Sequence, residues 1–325
     1  MKKIFPLLFV IILLTSCQTE IDVKLPTYYN KLVIEGYIEN GEYPVVTLSR
    51  SVPYFSTMSM EYLRDSVIVR DAKVFVTPKG GVEYELTINP IFLPRFDYPL
   101  LYAYSTRALT GELNTTYDLR VEWNGKVYTA ETSILNTFDL DSVAFVPNFG
   151  HERIDSVANL RIWMTDNGRG GNYYQFWVKI HSQDVGFPDR FWITTIPAAF
   201  DDSPFKGQSF NYEIIRGAPS SIFLPSNMSD EEMRRYLRGN YRVGDTVFLK
   251  YGLLEQGAYR FWNTISGELT FGQNPFMSPT PVISNIQSNT GEKCLGMWSG
   301  LAKQEKILIL DTAATKTSGA AYRFR

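Results

Sequence analysis

Residues 117–132 read YDLRVEWNGKVYTAET and form the clearest β-hairpin pattern in the chain. Apolar and charged side chains alternate from Tyr117 to Trp123, so one face of this strand is apolar and the other is charged. Half-buried antiparallel strands require that period of two. Asn124-Gly125 is a dipeptide preferred in two-residue hairpin turns, where both positions need a positive φ. The stretch therefore predicts an antiparallel β-sheet.

The same alternation extends toward the N-terminus. Residues 32–38 alternate, Asn40-Gly41 marks a turn, and residues 45–48 resume the pattern. Further short strands are predicted at residues 67–69, 74–76 and 83–87. Many short strands separated by turn residues are typical of β-sandwiches. We expect a mainly β protein with an N-terminal immunoglobulin-like or carboxypeptidase-regulatory-like β-sandwich over residues 30–135.

A second β-rich domain is predicted over residues 140–325, with its β pattern starting after Pro147. Its strands are expected within the ranges 160–164, 174–180, 209–215, 246–251 and 306–310. Two short helices interrupt it, near 229–239 and 255–266. Ser229 and Glu232 have capping-box spacing for the first helix. Apolar residues at helical spacing define the second helix, and Gly267 is expected to end it.

The N-terminus reads as a bacterial lipoprotein signal. Lys2 and Lys3 precede the apolar run 4–14, and Leu14-Thr15-Ser16-Cys17 matches a lipobox. The apolar run is shorter than the roughly 20 residues that a membrane-spanning helix needs. We expect residues 1–16 to be a signal peptide that is cleaved before an acylated Cys17. The alternative is a plain signal peptide with an incidental cysteine.

Residues 17–29 are expected to be a lipid-anchored tether. Glu20 and Asp22 follow closely behind Cys17. Acids there direct some lipoproteins to the outer face of the outer membrane, although solvated linkers also contain them. We expect a protein anchored in outer-membrane lipid by acyl chains such as palmitate, facing the cell exterior.

Charge and cysteine content limit the function classes. The formal net charge is −2, and loss of Lys2 and Lys3 with the signal makes it −4, so no nucleic-acid partner is expected. After acylation of Cys17 only Cys294 remains, which excludes a disulfide within the chain. Cys294 reads as a small buried hydrophobe; the alternative is a catalytic thiol with His151 or His181 as its base.

Catalytic and metal-binding patterns are sparse. His151 and His181 stand thirty residues apart with no zinc motif around them. Residues 166–172 carry oxygen ligands for a cation but lack the glutamate of an EF-hand, so an ordinary hairpin loop is favoured. Asp139-x-Asp141 and Asp201-Asp202 are acid pairs that read as solvated loops rather than hydrolase sites. No enzyme activity, cofactor or metal is predicted.

Two segments mix aromatic, proline and charged residues as contact surfaces do. They lie at residues 90–104 and 187–205. The candidate binding residues are Phe92, Phe96, Tyr98, Arg190, Trp192, Asp201 and Asp202. The alternative is that these aromatic residues only cap the sandwich cores.

Several segments together resemble the domain-of-unknown-function 4249 family of bacterial envelope lipoproteins. They are the lipobox and residues 32–38, 48–55, 71–74, 116–121, 259–262, 272–276, 284–286 and 295–296. The resemblance covers nearly the whole mature chain and carries no catalytic residue. It implies an accessory of a TonB-dependent outer-membrane transporter, by genomic neighbourhood rather than by chemistry.

We therefore expect a surface-exposed, non-catalytic nutrient-uptake accessory or ligand-binding partner of a TonB-dependent barrel, with a small nutrient as its ligand. The alternative is a cell-surface adhesin or structural lipoprotein, and the third hypothesis is a hydrolase with an unfamiliar site.

Overall fold

Extended strands dominate the computed structural model of the chain, as the alternating sequence pattern predicts. The fold belongs to the compact unit Lys31–Arg325. The structure describes residues 30–52, 59–91, 99, 101–147, 157–181, 192–217, 229–231, 233, 241–271 and 281–311. The signal peptide, Cys17 and the tether lie outside the described residues.

Sixteen strands are defined within these ranges. They are β1 Leu32–Glu39, β2 Val45–Arg50, β3 Lys73–Pro78, β4 Tyr84–Ile91, β5 Leu101–Ser105, β6 Thr115–Trp123, β7 Lys126–Ile134, β8 Ser142–Pro147, β9 Val157–Thr165, β10 Tyr173–His181, β11 Ile193–Asp201, β12 Ser209–Ile214, β13 Tyr241–Arg242, β14 Thr246–Leu254, β15 Gln287–Ser288 and β16 Leu295–Ile309. The helices are α1 Met60–Tyr62, which continues as a wide π-type turn over Leu63–Val67, and α2 Gln256–Phe271.

The predicted hairpin is confirmed as β6–β7. Its two strands pair in register from Thr115 opposite Ile134 to Trp123 opposite Lys126. Asn124 and Gly125 adopt φ values of 50° and 72°, as this type of turn requires. The apolar face of β6 is buried in the core, and its charged face lies at the surface.

The N-terminal half of the fold is a β-sandwich. One sheet contains β16, β1, β2 and β5, and the other contains β3, β6, β7 and β15. β4 belongs to both sheets, because Tyr84–Leu86 pair with β3 whereas Thr87–Ile91 pair with β5. Such a strand turns the corner between packed sheets.

Trp298 lies at the centre of this first core and is fully buried. Its indole Nε1 donates a hydrogen bond of 2.9 Å to the Tyr117 carbonyl oxygen on the facing sheet. A Cβ atom at Gly36 would lie 2.8 Å from the Trp298 ring, so the glycine leaves room for it. The large indole thus packs between the sheets with its polar atom satisfied.

β16 joins the two halves of the fold. Its first half pairs in parallel with β1, from Leu295 opposite Val33 to Leu301 opposite Glu39. Its second half pairs antiparallel with β14, from Ala302 to Ile309. The predicted domain boundary between residues 135 and 140 stays a prediction, and the last strand contributes to the sheets on both sides of it.

The second half of the fold is also built from two layers. One contains β11, β10, β14 and the second half of β16, and the other contains β12, β9, β8 and β13. Apolar residues from both layers form a second core that includes Leu160, Phe176 and Tyr251. Phe138, from the segment before β8, packs edge-on against Tyr251 with ring centroids 5.3 Å apart.

Three strands differ from the predictions made from the sequence. β8 ends at Pro147, whereas the second β pattern was predicted to begin only after that residue. β5 and β11 occupy parts of the segments 90–104 and 187–205, which were interpreted as contact loops. In both segments, aromatic and polar residues concealed the underlying strand alternation.

α2 lies near the second predicted helix, with one correction, whereas α1 was not predicted. α2 runs to Phe271 and does not end at Gly267. A glycine inside a helix costs only about 1 kcal/mol relative to alanine, so the residues after it continue the helix. At the first predicted helix, Met233 N donates to Ser229 O at 2.8 Å, while Glu232 and residues 234–240 lie outside the described residues. Among the described helices, none is long and apolar enough to cross a membrane.

Candidate binding surface

The first predicted contact segment lies between two described strands. Phe92, Phe96 and Tyr98 are outside the described residues. Ile91 of β4 pairs with Leu101 of β5, and β5 pairs with β2. The strand directions therefore place the two ends of this segment at the end of the first sandwich where β1 begins.

The second predicted contact segment lies far from the first one. Arg190 is outside the described residues, whereas Trp192 immediately precedes β11. Lys179, which contacts Trp192, pairs through β14 with Ile307 on β16. From Leu295 to Ile307 the strand rises about 40 Å at about 3.3 Å per residue. The described parts of the two segments therefore lie apart.

Trp192 stands among cations on the outer face of β10 and β14. The Lys179 Nζ lies 5.2 Å from the centre of its ring, and the Lys250 Nζ lies 5.0 Å from it. Lys250 is also 4.8 Å from the ring of Trp177. Ammonium groups at these distances are attracted by the electron-rich faces of indoles.

The charge of Lys250 is balanced internally. Lys250 is only 5% exposed, and its Nζ lies 2.5 Å from Glu39 Oε1 at the end of β1. Burial lowers the pKa of Lys250, and the facing Glu39 carboxylate opposes that shift. This ion pair links the two sandwiches, since Glu39 belongs to β1 and Lys250 to β14.

Lys303 extends the ion pair toward the solvent. Its Nζ lies 3.8 Å from Glu39 and 2.5 Å from Glu42. Burial tends to lower the pKa of Lys303, but the hydrogen bond to Glu42 and the charge of Glu39 outweigh it and the pKa is raised. Within the described part of the chain, both lysines of this cluster are therefore paired with carboxylates.

An apolar patch continues from Trp192 along the same outer face. Cross-strand pairing places Lys179, Phe248 and Ile307 in one row, and Ile309 lies in the next row. Ile307 is 60% exposed and Ile309 is 66% exposed. We call Trp192, Lys179, Phe248, Ile307 and Ile309 the outer-face patch.

The outer-face patch has an open strand edge beside it. β1 pairs with β16 only as far as Leu301. Two residues further along β16, the Lys303 backbone N–H donates a hydrogen bond to the Asn40 side chain. From Gln304 to Ile309, β16 pairs with β14 on one side, and no other strand among the described residues pairs with it. Exposed edges that carry apolar side chains are places where other chains dock.

Asp202 serves the turn after β11 and is not a free carboxylate. Asp202 is 2% exposed and accepts hydrogen bonds from the backbone of Gly171 and Asn172, both at 3.1 Å. Asp201 accepts hydrogen bonds from Ser203 N at 2.9 Å and from the Tyr259 hydroxyl at 2.7 Å. These bonds lower the pKa of Asp201, while burial and Asp201 raise the pKa of Tyr259 to about 12.

The loop 166–172 is held in the same way. Asp166 accepts hydrogen bonds from Gly168 N and Gly207 N at 2.8 Å and from the Tyr174 hydroxyl at 2.9 Å. Burial tends to raise the pKa of Asp166, but these donors outweigh it and the pKa is lowered. Asn172 links Asp166 to Asp202 through its side-chain amide. Among the described residues, no group of His, Cys, Asp or Glu could hold a metal ion.

Cys294 fits its interpretation as a small buried residue. It is 8% exposed, and its Sγ donates to the Glu292 carbonyl oxygen at 3.4 Å. Burial raises the pKa of this thiol, which disfavours the thiolate that a nucleophile needs. His181 is exposed at the end of β10, and His151 lies outside the described residues.

The first sandwich has a shallow groove on its outer face. It encloses about 380 Å³ between β6, β7 and the segment before β15. Its lining includes the charged residues Asp118, Arg120 and Glu131. Arg120 is already paired with Glu83 and Glu122 and lies over the Phe75 ring. The groove adds no residue to the outer-face patch.

Sequence reasoning found Trp192 but missed Ile307, Ile309 and Phe248. A signal for two of them exists in residues 306–310, which read KILIL. Strands buried on one face alternate apolar and polar residues, whereas this one is apolar on both faces at three successive positions. Such a strand at a sheet edge indicates a second contact face.

Comparison with known families and proteins gives one match. The family model described as Domain of unknown function (DUF4249) matches residues 18–307. The curated proteins contain no match to the chain.

Proposed function

We propose that this chain, which belongs to the DUF4249 family, is a lipid-anchored protein of the outer membrane that faces the cell exterior. It serves a TonB-dependent transporter as a non-catalytic accessory or ligand-binding partner. The lipobox that ends at Cys17 supports the anchor. Two or more acyl chains give durable attachment, since each buried methylene contributes about 0.8 kcal/mol.

The observation that carries the accessory role is the outer-face patch. Ile307 and Ile309 are more than half exposed and lie on the same outer face as Lys179, which contacts Trp192. Contact surfaces are enriched in aromatic residues, and exposed apolar side chains grouped together are typical of docking sites. The open edge of β16 adds backbone groups that a partner strand can pair with.

The state of the acidic residues supports binding rather than hydrolysis. A general acid or base needs a carboxyl group that can reach a substrate. Asp201 and Asp202 instead use their oxygens to hold Ser203, Tyr259 and the backbone at 171–172. We therefore place the acid pair in the support of the β10–β11 hairpin rather than in a catalytic role.

Gentle extraction of the native protein from outer membrane tests the role. We expect a large TonB-dependent barrel to co-purify with the wild-type chain, and an Ile307→Asp variant to capture at least about tenfold less, because about 1.4 kcal/mol corresponds to a factor of ten. Val82→Asp is the matched control, since Val82 is 67% exposed on the first sandwich.

Equal capture of the barrel by Ile307→Asp and by wild type would mean that the outer-face patch does not contact the barrel. If no barrel co-purifies and cells without the protein lose surface attachment, the adhesin alternative replaces the accessory role. Cys17→Ala is expected to abolish labelling by palmitate, and label on that variant would contradict the anchor.

A further inference from the structure

The end of the first sandwich where the chain enters β1 gathers residues from several strand ends. Leu32 at the start of β1 pairs with Arg50 at the end of β2. The Arg50 guanidinium carbon lies 5.2 Å from the Trp123 ring at the β6–β7 turn. The Trp123 indole donates to Asp71, just before β3, at 3.0 Å. We call this end, with its strand-end residues, the tether-end surface.

Cations outnumber carboxylates on the tether-end surface. Its strand-end positions carry six cations and three carboxylates in a chain of net charge −2. The cations are Lys31, Arg50, Arg70, Lys73, Lys126 and Lys293, and the carboxylates are Asp71, Glu122 and Glu292. Nearby, α1 and the turn after it add Glu61 and the ion pair of Arg64 with Asp65, so the local excess is two positive charges.

Among the described residues, most of these cations have no carboxylate partner. Lys126 pairs with Glu292 at 2.8 Å, and Asp71 is engaged by the Trp123 indole. Arg50 forms no ion pair within the described ranges, and its Nε is buried without a hydrogen-bond partner there. Lys31, Arg70 and Lys293 are exposed. The fold therefore holds an arginine on an indole face with its charge uncompensated.

We propose that the tether-end surface binds the phosphate-bearing headgroups of the membrane that carries the lipid anchor. The proposal rests on the lipid anchor of the proposed function, because the tether joins the fold at Lys31. Arginine matches phosphate geometry with two parallel hydrogen bonds. Each Lys or Arg near an anionic surface strengthens attachment about fivefold.

This contact sets the direction of the molecule on the membrane. β16 starts beside the tether-end surface and runs away from it, so Ile307 lies about 40 Å further along the strand. The headgroup contact would keep the tether end of the first sandwich against the membrane. The outer-face patch would then lie on the side of the molecule away from the lipid. A single short tether without this contact would leave the orientation free.

Vesicle binding by the mature chain with Cys17→Ser tests the surface without the acyl chains. We expect it to sediment with vesicles of phosphatidylcholine and phosphatidylglycerol and not with pure phosphatidylcholine. Binding should fall in about 1 M salt, where the screening length is about 3 Å. The double variant Arg50→Gln, Arg70→Gln should bind about 25-fold more weakly, at about fivefold per cation.

Two further double variants test whether binding depends on the cations of the tether-end surface. Lys31→Gln with Lys293→Gln alters exposed residues only and should weaken binding by a similar factor with an unchanged melting temperature. Lys79→Gln with Arg107→Gln, at the opposite end of the same sandwich, is the matched control and should bind like the unsubstituted mature chain. An equal loss in the control pair, or equal binding to neutral vesicles, overturns the proposal.

A small-anion site is distinguished from the headgroup contact by competition. Displacement from vesicles by inorganic phosphate, when chloride of equal ionic strength has no effect, would identify such a site and overturn the headgroup contact. Absence of palmitate label from wild-type Cys17 would contradict the proposed anchor, whereas loss of vesicle binding contradicts only the headgroup contact.

Discussion

The tether-end surface and the outer face of the second sandwich both place tryptophan against cations, yet the charge is used differently. At the tether end, Arg50 lies over the Trp123 ring, and the indole N–H donates a hydrogen bond to Asp71. Among the described residues no carboxylate pairs with Arg50, and its Nε is buried without a hydrogen-bond partner there.

On the outer face, Lys250 lies 4.8 Å from the Trp177 ring and 5.0 Å from the Trp192 ring. Its charge is taken up by Glu39 at 2.5 Å, out of contact with water. The same residue types therefore make a charged surface in one place and a neutral support in the other. Burial and the presence of a carboxylate decide between these roles, not the tryptophan–cation contact itself.

The largest difference is expected when a buried partner is removed. Glu39→Gln leaves the Lys250 ammonium buried without its counter-charge, and breaking such a pair costs about 3–5 kcal/mol. We expect that loss in the free energy of unfolding, measured by urea denaturation. The double variant Glu39→Leu, Lys250→Met replaces both charges with apolar groups and should recover most of it. A double variant as unstable as Glu39→Gln would contradict a purely electrostatic cause.

The hydrogen-bonded Asp166 sharpens the comparison through pH. Its folded pKa lies below the ordinary aspartate value, so its contribution to stability is present at neutral pH and is lost as pH falls through the folded pKa. Protection of the Gly168 and Gly207 amides from hydrogen exchange, relative to their intrinsic exchange rates, should therefore fall in acid before that of β6 and β7. Asp166→Asn should cost about 1.5–3 kcal/mol at neutral pH and remove this acid dependence.

Asp118→Asn is the control for that measurement. Asp118 is exposed on β6, and among the described residues its side chain makes no hydrogen bond. We expect its replacement to leave both the stability and the acid profile of β6 and β7 unchanged. Similar profiles for the Asp166 and Asp118 variants would mean that the loop 166–172 is not held by its carboxylate.

The parts of the fold that the sequence predicted correctly depend on neighbouring residues. The hairpin 117–132 carries its strand period and its turn dipeptide within sixteen residues. The course of β16 could not be predicted in this way, because Leu295 pairs with Val33 from the opposite end of the chain. Local patterns identify strands, but tertiary pairing decides which sheet each one joins.

The residues of the candidate site show the same difference between local pattern and tertiary contact. Trp192 stands out in sequence as an aromatic residue in a polar segment, whereas its partner Lys250 looks like an ordinary strand lysine. Glu39, which neutralises that lysine, lies 211 positions away. The acid pair Asp201-Asp202 illustrates the opposite case, since it was interpreted as a solvated loop with candidate binding residues, and the fold uses it to hold backbone amides.

The smallest effect on stability is expected at Glu292, which pairs with Lys126 at the tether end. Their side chains are 54% and 36% exposed, and exposed ion pairs contribute little because water screens them. Glu292→Gln should therefore leave the urea midpoint unchanged, in contrast to Glu39→Gln. It also removes one carboxylate from the tether-end surface, so binding to phosphatidylglycerol vesicles should strengthen about fivefold. Glu85→Gln on β4 lies away from this end and is the control. A large loss of stability from Glu292→Gln, or weaker vesicle binding, would mean that the tether end is built like the outer face, with its charges serving the fold.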